Sequence, residues 1–299
     1  MKRRYFALAA AVCAASMAFP GGPASAGSAA GSAQTQVRPA ENGEPPYGKA
    51  STLRWAGREW YVRDSAWNDG GPMRTDEWSK DNASVSGKDL VLKLNYDRGK
   101  RLMTGSEIVS ADAVGYGDYS FSFTSNTREF DEHSVFGAFT YDWGSNATKG
   151  NSEVDLIETS RWHEKDNKMR AKFTYYRDSD SKSFEISPYV MPEATRTYHM
   201  DVKWEPGKIT WRLWNGNRTS LLREGSRTEN VPAPTATTRM HLNAWCSWPQ
   251  TGNKDDDDDR LLHRETKPIT VKVHGFDYTP KRAADPRENS GSGWHRLSS

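Results

Sequence analysis

Six consecutive residues, Glu153-Val154-Asp155-Leu156-Ile157-Glu158, place the tightest limit on what this chain can become. Acids are interleaved with apolar residues of β-forming type. In a regular strand, successive side chains point to opposite faces of the sheet. Glu153 and Asp155 then share one face, and Val154 and Leu156 share the other. Strict alternation would turn Glu158 to the side of Leu156. One extra residue near Ile157, a β-bulge, reverses the phase and brings Glu158 back beside the other two acids. The segment therefore predicts a kinked strand with one buried face and one acidic, open face.

Three carboxylates on one face repel, and at least one should hold its proton to a higher pH than an isolated carboxyl. Stability alone gives no reason to build such a face. Cleavage of a glycosidic bond does, because it needs one ionised carboxylate as nucleophile or base and one protonated carboxyl as acid. With a bulge between them, Glu153 and Glu158 are separated by about four strand steps, or about 13 Å between Cα atoms. Retaining chemistry needs the carboxyls about 5–5.5 Å apart. Both side chains must then lean inward over Asp155, which a curved, twisted sheet allows. Asp155 is placed to bond Glu153 and tune both partners. The plainer reading, a strand edge guarded by acids, leaves the interleaved Val, Leu and Ile unexplained.

The rest of the chain agrees with a sheet protein. Leu53-Arg54-Trp55 and Trp60-Tyr61-Val62 read as first strands, followed by Ala83–Ser86, Leu90–Leu94, Glu107–Ser110, Tyr119–Phe123 and Val135–Tyr141. Beyond the acids come Met169–Tyr176, Thr197–Trp204, Ile209–Trp214, Arg239–Trp245, Ile269–Val273 and Phe276–Tyr278. Turn signals separate them, as in Glu205-Pro206-Gly207-Lys208. Short strands at this spacing, with no sustained helical period, predict an all-β sandwich. The chain's 299 residues suffice for one large β domain.

The first 26 residues carry a basic start (Lys2, Arg3, Arg4), an apolar stretch from Tyr5 to Phe19 and a small-residue cleavage pattern at Ala24-Ser25-Ala26. This predicts a secretory signal peptide over 1–26 and a secreted, extracellular product. Residues 27–50, rich in Gly, Ala, Ser and Pro, read as a flexible linker. A folded domain is expected over 51–280, with a disordered polar tail over 281–299. The full chain has a formal charge of +2, and loss of the three basic signal residues would leave about −1. No basic stripe marks a nucleic-acid binder. After the signal no apolar run is long enough to cross a membrane. Cys13 leaves with the signal, so Cys246 has no partner for an internal disulfide and reads as a buried apolar residue. The run Asp255–Asp259 lacks the spacing of a cation loop. No cofactor and no metal are expected, with structural calcium the unfavoured alternative, and the product is expected to be a monomer.

The acidic hexapeptide resembles the bulged E-[IV]-D-x-x-E signature of glycoside hydrolase family 16. The flanks are similar in family order across about residues 60–280: Tyr116-Gly117-Asp118-Tyr119, Phe173-Thr174-Tyr175-Tyr176, Trp204-Glu205-Pro206-Gly207-Lys208-Ile209-Thr210-Trp211 and Leu242-Asn243-Ala244-Trp245. The resemblance to bacterial lichenases and laminarinases implies a concanavalin-like β-jelly-roll of two curved antiparallel sheets. It implies cleavage within a polysaccharide such as a β-glucan, with retention of configuration. Glu153 would be the nucleophile, Glu158 the acid/base and Asp155 the auxiliary acid. Trp143, Trp162, Tyr175 and Trp245 are the candidates for stacking on sugar rings, each with core packing as its alternative. Arg161 is read as a surface charge, with pairing to a catalytic carboxylate as the alternative. Two other functions remain open: a non-catalytic carbohydrate-binding sandwich, and a cell-wall transglycosylase on the same fold.

Overall fold

The computed structural model describes residues 51–65, 77–142, 152–162, 164–176, 182–247 and 266–281. The proposed signal peptide and linker, the tail beyond Lys281, Trp143 and Asp255–Asp259 lie outside them. Strands are numbered in chain order. The front sheet contains β1 (Thr52–Trp55), β2 (Arg58–Val62), β6 (Leu102–Ser110), β16 (Thr238–Cys246), β8 (Ser134–Asp142), β9 (Val154–Ser160) and β10 (Arg170–Tyr176), paired in that order. The short β11 (Ser183–Glu185) and β12 (Tyr189–Val190) both pair with β10. The back sheet runs β4 (Ala83–Ser86), β5 (Asp89–Asp97), β17 (Ile269–Pro280), β7 (Gly117–Asn126), β13 (Thr195–Glu205), β14 (Lys208–Asn215) and β15 (Leu221–Arg227).

These pairings are antiparallel throughout. Among the described residues, the one parallel contact joins β3 (Glu77–Trp78) to β6. The end of β5 also pairs with the start of β6, which ties the two curved sheets at one corner. The result is the all-β jelly-roll expected from the sequence.

Alternation along each strand explains why the sheets face one another. Every second residue of β7 is buried: Gly117, Tyr119, Phe121, Phe123 and Ser125. Their partners on β13 include Tyr198, Met200, Val202 and Trp204, also buried. Aromatic contacts cross from sheet to sheet, as between Phe123 and Phe136 (centroids 5.1 Å apart) and Trp60 and Phe276 (5.5 Å). Burial of such rings is the main favourable term in a fold of this kind. Cys246 is fully buried among them, as expected of a small apolar residue. The sequence did not signal β11, β12 or β15. Their residues are largely exposed or half-buried, so no apolar alternation marks them.

Gly117 opens β7 hard against β17. A Cβ there would come within 2.5 Å of the Thr279 carbonyl oxygen and 2.6 Å of the Tyr278 ring. Backbone cannot give way as a flexible side chain does. Gly117→Ala should therefore cost about 1–3 kcal/mol, read as a lower midpoint in denaturant unfolding. An unchanged midpoint would refute this close approach.

Candidate active site

The acidic segment forms β9, between β8 and β10 in the front sheet, and its register is interrupted on both sides. On β8, adjacent Ala138 and Phe139 face Ile157 and Asp155. On β10, Lys172 and Thr174 face Glu158 and Asp155. Two steps on β10 thus span three residues of β9, the mark of a bulge at Leu156 and Ile157. Val154, Leu156 and Ile157 all sit in the core. Asp155 and Glu158 share the outer face, because their partners Phe139 and Gly137 are two residues apart on β8. Glu153 precedes the strand, and its carbonyl accepts a bond from Tyr176 N (3.1 Å).

Both ends of β9 are fixed by residues in the left-handed region, which non-glycine residues seldom adopt. Ser152 (φ 54°) is held by Thr140 Oγ1 donating to its carbonyl (2.9 Å) and by its own hydroxyl donating to the Ala233 carbonyl (2.8 Å). At the other end Trp162 (φ 52°) donates its N–H to Ser160 Oγ (3.1 Å). The entry and exit of the acidic strand are therefore set by local bonds.

The acids continue into rows across the outer face. Beyond Glu158 lie Gly137 and then Asn243 of β16, and beyond Asp155 lie Phe139 and His241. A Cβ at Gly137 would meet Asn243 Oδ1 at 2.6 Å, so the missing side chain gives the Asn243 amide its place beside the acids. His241 stacks on Phe139 (4.9 Å). Its Nδ1 lies 2.6 Å from Glu107 Oε1, and Arg63 pairs with the other oxygen of that carboxylate. Burial pushes Glu107 up, but Arg63 and His241 outweigh it and hold it below the usual carboxylate range. An ionised Glu107 only accepts, so Nδ1 carries the proton.

Burial governs the three acids, and charge crowding adds to it at Glu153 and Asp155. Burial, then the charge of Glu158, pushes Glu153 well above the usual carboxylate range. Burial and both glutamates do the same to Asp155, whose Oδ2 is enclosed with no protein partner. Glu158 is raised to about 7 by burial, with Lys172 opposing the rise. Lys172 lies directly across from Glu158, its Nζ 4.9 Å over the Trp162 ring. Tyr176 is pushed well above its usual value by burial and the three acids, so it remains a phenol.

A family model, glycosyl hydrolases family 16, matches residues 72–260. The chain belongs to glycosyl hydrolase family 16. No match was found among curated protein sequences. Among solved structures, this family 16 chain is similar to the Bacillus licheniformis β-glucanase (18% identity, TM-score 0.51, covering 75% of this chain and 92% of that one). It is also similar to a family 16 endo-glucanase from Bacteroides ovatus (11% identity, TM-score 0.52, covering 74% and 94%). At these identities the likeness speaks for the fold.

The structure brings together Glu153, Asp155 and Glu158 on one face of this family 16 chain. Trp245 and Trp162 also meet there. Trp245 packs with Trp78 and Val135 in a cluster separate from the main core, and half-buried Trp162 lies against it. Val135 precedes Gly137 on the outer face of β8, so this cluster flanks the Glu158 end of the row. Tyr175 is elsewhere. It lies fully inside the sandwich, stacked on Phe184 (5.3 Å) and Trp211 (6.1 Å), with its hydroxyl donating to the Glu229 carbonyl. Its neighbour Tyr176 belongs to the acidic face, because Thr174 is the residue opposite Asp155. Alternation alone shows that one of the two tyrosines faces out; only register shows which.

Arg161 is neither a surface charge nor a partner of the acids. It is buried and donates to the carbonyls of Phe130, Asn167 and Thr127 and to the Glu193 carboxylate, tying three loops together. Sequence reasoning missed Lys172, Phe139, Tyr141, Glu107 and His241. The first three follow from strand parity once the register is known. The last two, 134 residues apart in the chain, carry no local signal. Among the described residues no group of three or more His, Cys, Asp or Glu is arranged to hold a metal ion.

Two measurements test this electrostatic picture. An acid whose folded pKa is raised binds its proton more tightly in the native state than in the unfolded state. Stability then falls as pH rises from the ordinary carboxyl value, about 4.3, to about 7. For Glu158 the loss is on the order of 3 kcal/mol. Glu158→Gln should therefore unfold several degrees above the wild type at pH 8, at about 2–4 °C per kcal/mol, with little difference near pH 4. A gap that does not widen with pH would sink this account. Separately, Lys172→Met removes the opposing cation, so the Glu158 carboxyl, followed by carbon-13 NMR, should titrate at higher pH. An unmoved or lower midpoint would show that Lys172 does not act on it.

Proposed function

We propose that this chain is a secreted endo-glycosidase that cleaves internal β-glycosidic bonds of a polysaccharide, a β-glucan first among them, with retention of configuration. One observation carries the reading: the bulge in β9 gathers three carboxyls of raised proton affinity on the outer face of the sheet. The similarity to β-glucanases supports the choice of glucan.

Asp155, the most enclosed of the three and crowded by both glutamates, keeps its proton first. A proton on Glu158 removes the charge that pushes Glu153 up, so the reactive form pairs a protonated Glu158 with an ionised Glu153. Glu153 attacks the anomeric carbon as the glycosidic C–O bond breaks, and Glu158 gives its proton to the leaving oxygen. Glu158 then takes a proton from water, whose oxygen attacks the anomeric carbon and frees Glu153. A group that titrates near 7 suits both transfers at neutral pH. Tyr141, Phe139 and Tyr176 line the face near the acids, and Trp162 and Trp245 its Glu158 end. Their apolar ring faces match the axial C–H face of a pyranose.

Glu153→Gln should lower the release of new reducing ends by about 1,000-fold or more, while thermal unfolding and polysaccharide retention stay near wild type. Assay on laminarin, mixed-linkage glucan, agarose, carrageenan and xyloglucan, with product sizing, checks this. Full activity in the variant would end the proposal. Products longer than the donor would replace hydrolysis with transglycosylation.

A further inference from the structure

The acidic face depends on where the extra residue of β9 sits. A bulge can move along a strand, and each shift of one residue turns the side chains it passes to the other face. Were it to move past Ile157, Glu158 would exchange places with an apolar neighbour. Something must pin it, and the two flanking ladders cannot, because both skip at this point.

A bond from the opposite sheet does reach it. Trp211, on the inner face of β14, donates its indole N–H to the carbonyl of Asp155 at 3.0 Å. Among the described residues, other indoles also donate to backbone carbonyls. Trp55 bonds Lys88, Trp60 bonds Trp55 and Trp204 bonds Pro232. Only the Trp211 acceptor lies in the acid-bearing strand. The donor is fully buried, so water does not compete for the carbonyl, and a buried carbonyl left without a partner is costly. Trp211 is itself held by stacking on Tyr175, with ring planes within 10°. Tyr175 stacks in turn on Phe184 and follows Thr174, the residue opposite Asp155. The three rings and the bulge pack as one unit beneath the acids.

We propose that Trp211 is a positioning residue: its bond across the sandwich fixes the bulge at Leu156 and Ile157 and so aims Glu158 out of the sheet beside Glu153 and Asp155. This rests on the hydrolase reading for its effect on turnover, though not for its effect on Glu158 itself. Glu158 is faced by Lys172 and Tyr176 of β10, by Glu153 and Asp155 of its own segment, and across Gly137 by Asn243 of β16. A shift of the bulge would change its distance to all of them.

The test pairs Trp211→Phe with Trp204→Phe. Each removes one buried indole N–H from the same face of the back sheet, but only the first donates its bond to β9. Both should fold, with similar losses in thermal midpoint. Trp211→Phe should lower kcat by about 10- to 100-fold with KM nearly unchanged, the scale of a small misplacement of reacting groups. It should also move the titration midpoint of Glu158 seen by carbon-13 NMR. Trp204→Phe should do neither. If Trp211→Phe does not fold, benzothienylalanine at position 211, which replaces only the N–H by sulfur, takes its place. An unchanged kcat and Glu158 midpoint, or equal changes in the Trp204 variant, would overturn the proposal. Should the wild type cleave no glycan, the hydrolase reading fails. The Glu158 titration needs no substrate and still decides the role of Trp211.

Discussion

One surplus residue in one strand governs this protein. β9 and the residue before it carry three acids and three apolar residues, and strict alternation cannot send all the acids one way and all the apolar residues the other. With the bulge it can. Leu156 and Ile157 point inward in succession, and the phase resumes with Glu158 outside. The energetics favour this arrangement strongly. Each apolar side chain gains about 1.5–3 kcal/mol on full burial, whereas a lone carboxylate in the core would be costlier still. The surrounding sandwich supplies what the bulge itself lacks, including a partner for the Asp155 carbonyl.

That solution leaves the outer face in tension. Burial raises the proton affinity of all three carboxyls, the charge of Glu158 adds to the rise at Glu153 and Asp155, and the fold is less stable at neutral pH as a result. Lys172 relieves part of the strain at Glu158. Further along the same face the opposite policy holds. Glu107 is saturated by Arg63 and His241 and stays ionised although it is buried. Three strands apart on one face, one set of acids is fully paired and the other is left poised to exchange protons. A paired carboxylate holds a surface in shape, whereas an unpaired one of raised proton affinity is free to exchange its proton.

Aromatic residues divide along the same boundary. Tyr175, Trp211 and Phe184 form a stack inside the sandwich, while Tyr176, one residue on, turns to the acids. Trp78, Trp162 and Trp245 make a second cluster outside the main core, with Arg63 over one ring and Lys172 over another. The interior stack orders the strand that carries the acids. In the exterior cluster, beside Glu158, Trp78 and Trp245 are buried and half-buried Trp162 carries the open ring surface.

Local sequence determined the fold class, most of the strands, the acidic triad and the need for a bulge. All of these are written in alternation and spacing, which a strand translates directly into faces. Local sequence did not mark β11, β12 or β15, whose largely exposed residues carry no apolar alternation. Only the tertiary structure decided which tyrosine of the pair faces the acids, because that depends on register against β9. It alone placed Arg161 as a buried tie between loops, and it alone joined His241 to Glu107 and Trp211 to Asp155. Such contacts link residues far apart in the chain, and their geometry exists only once the two sheets have closed on one another.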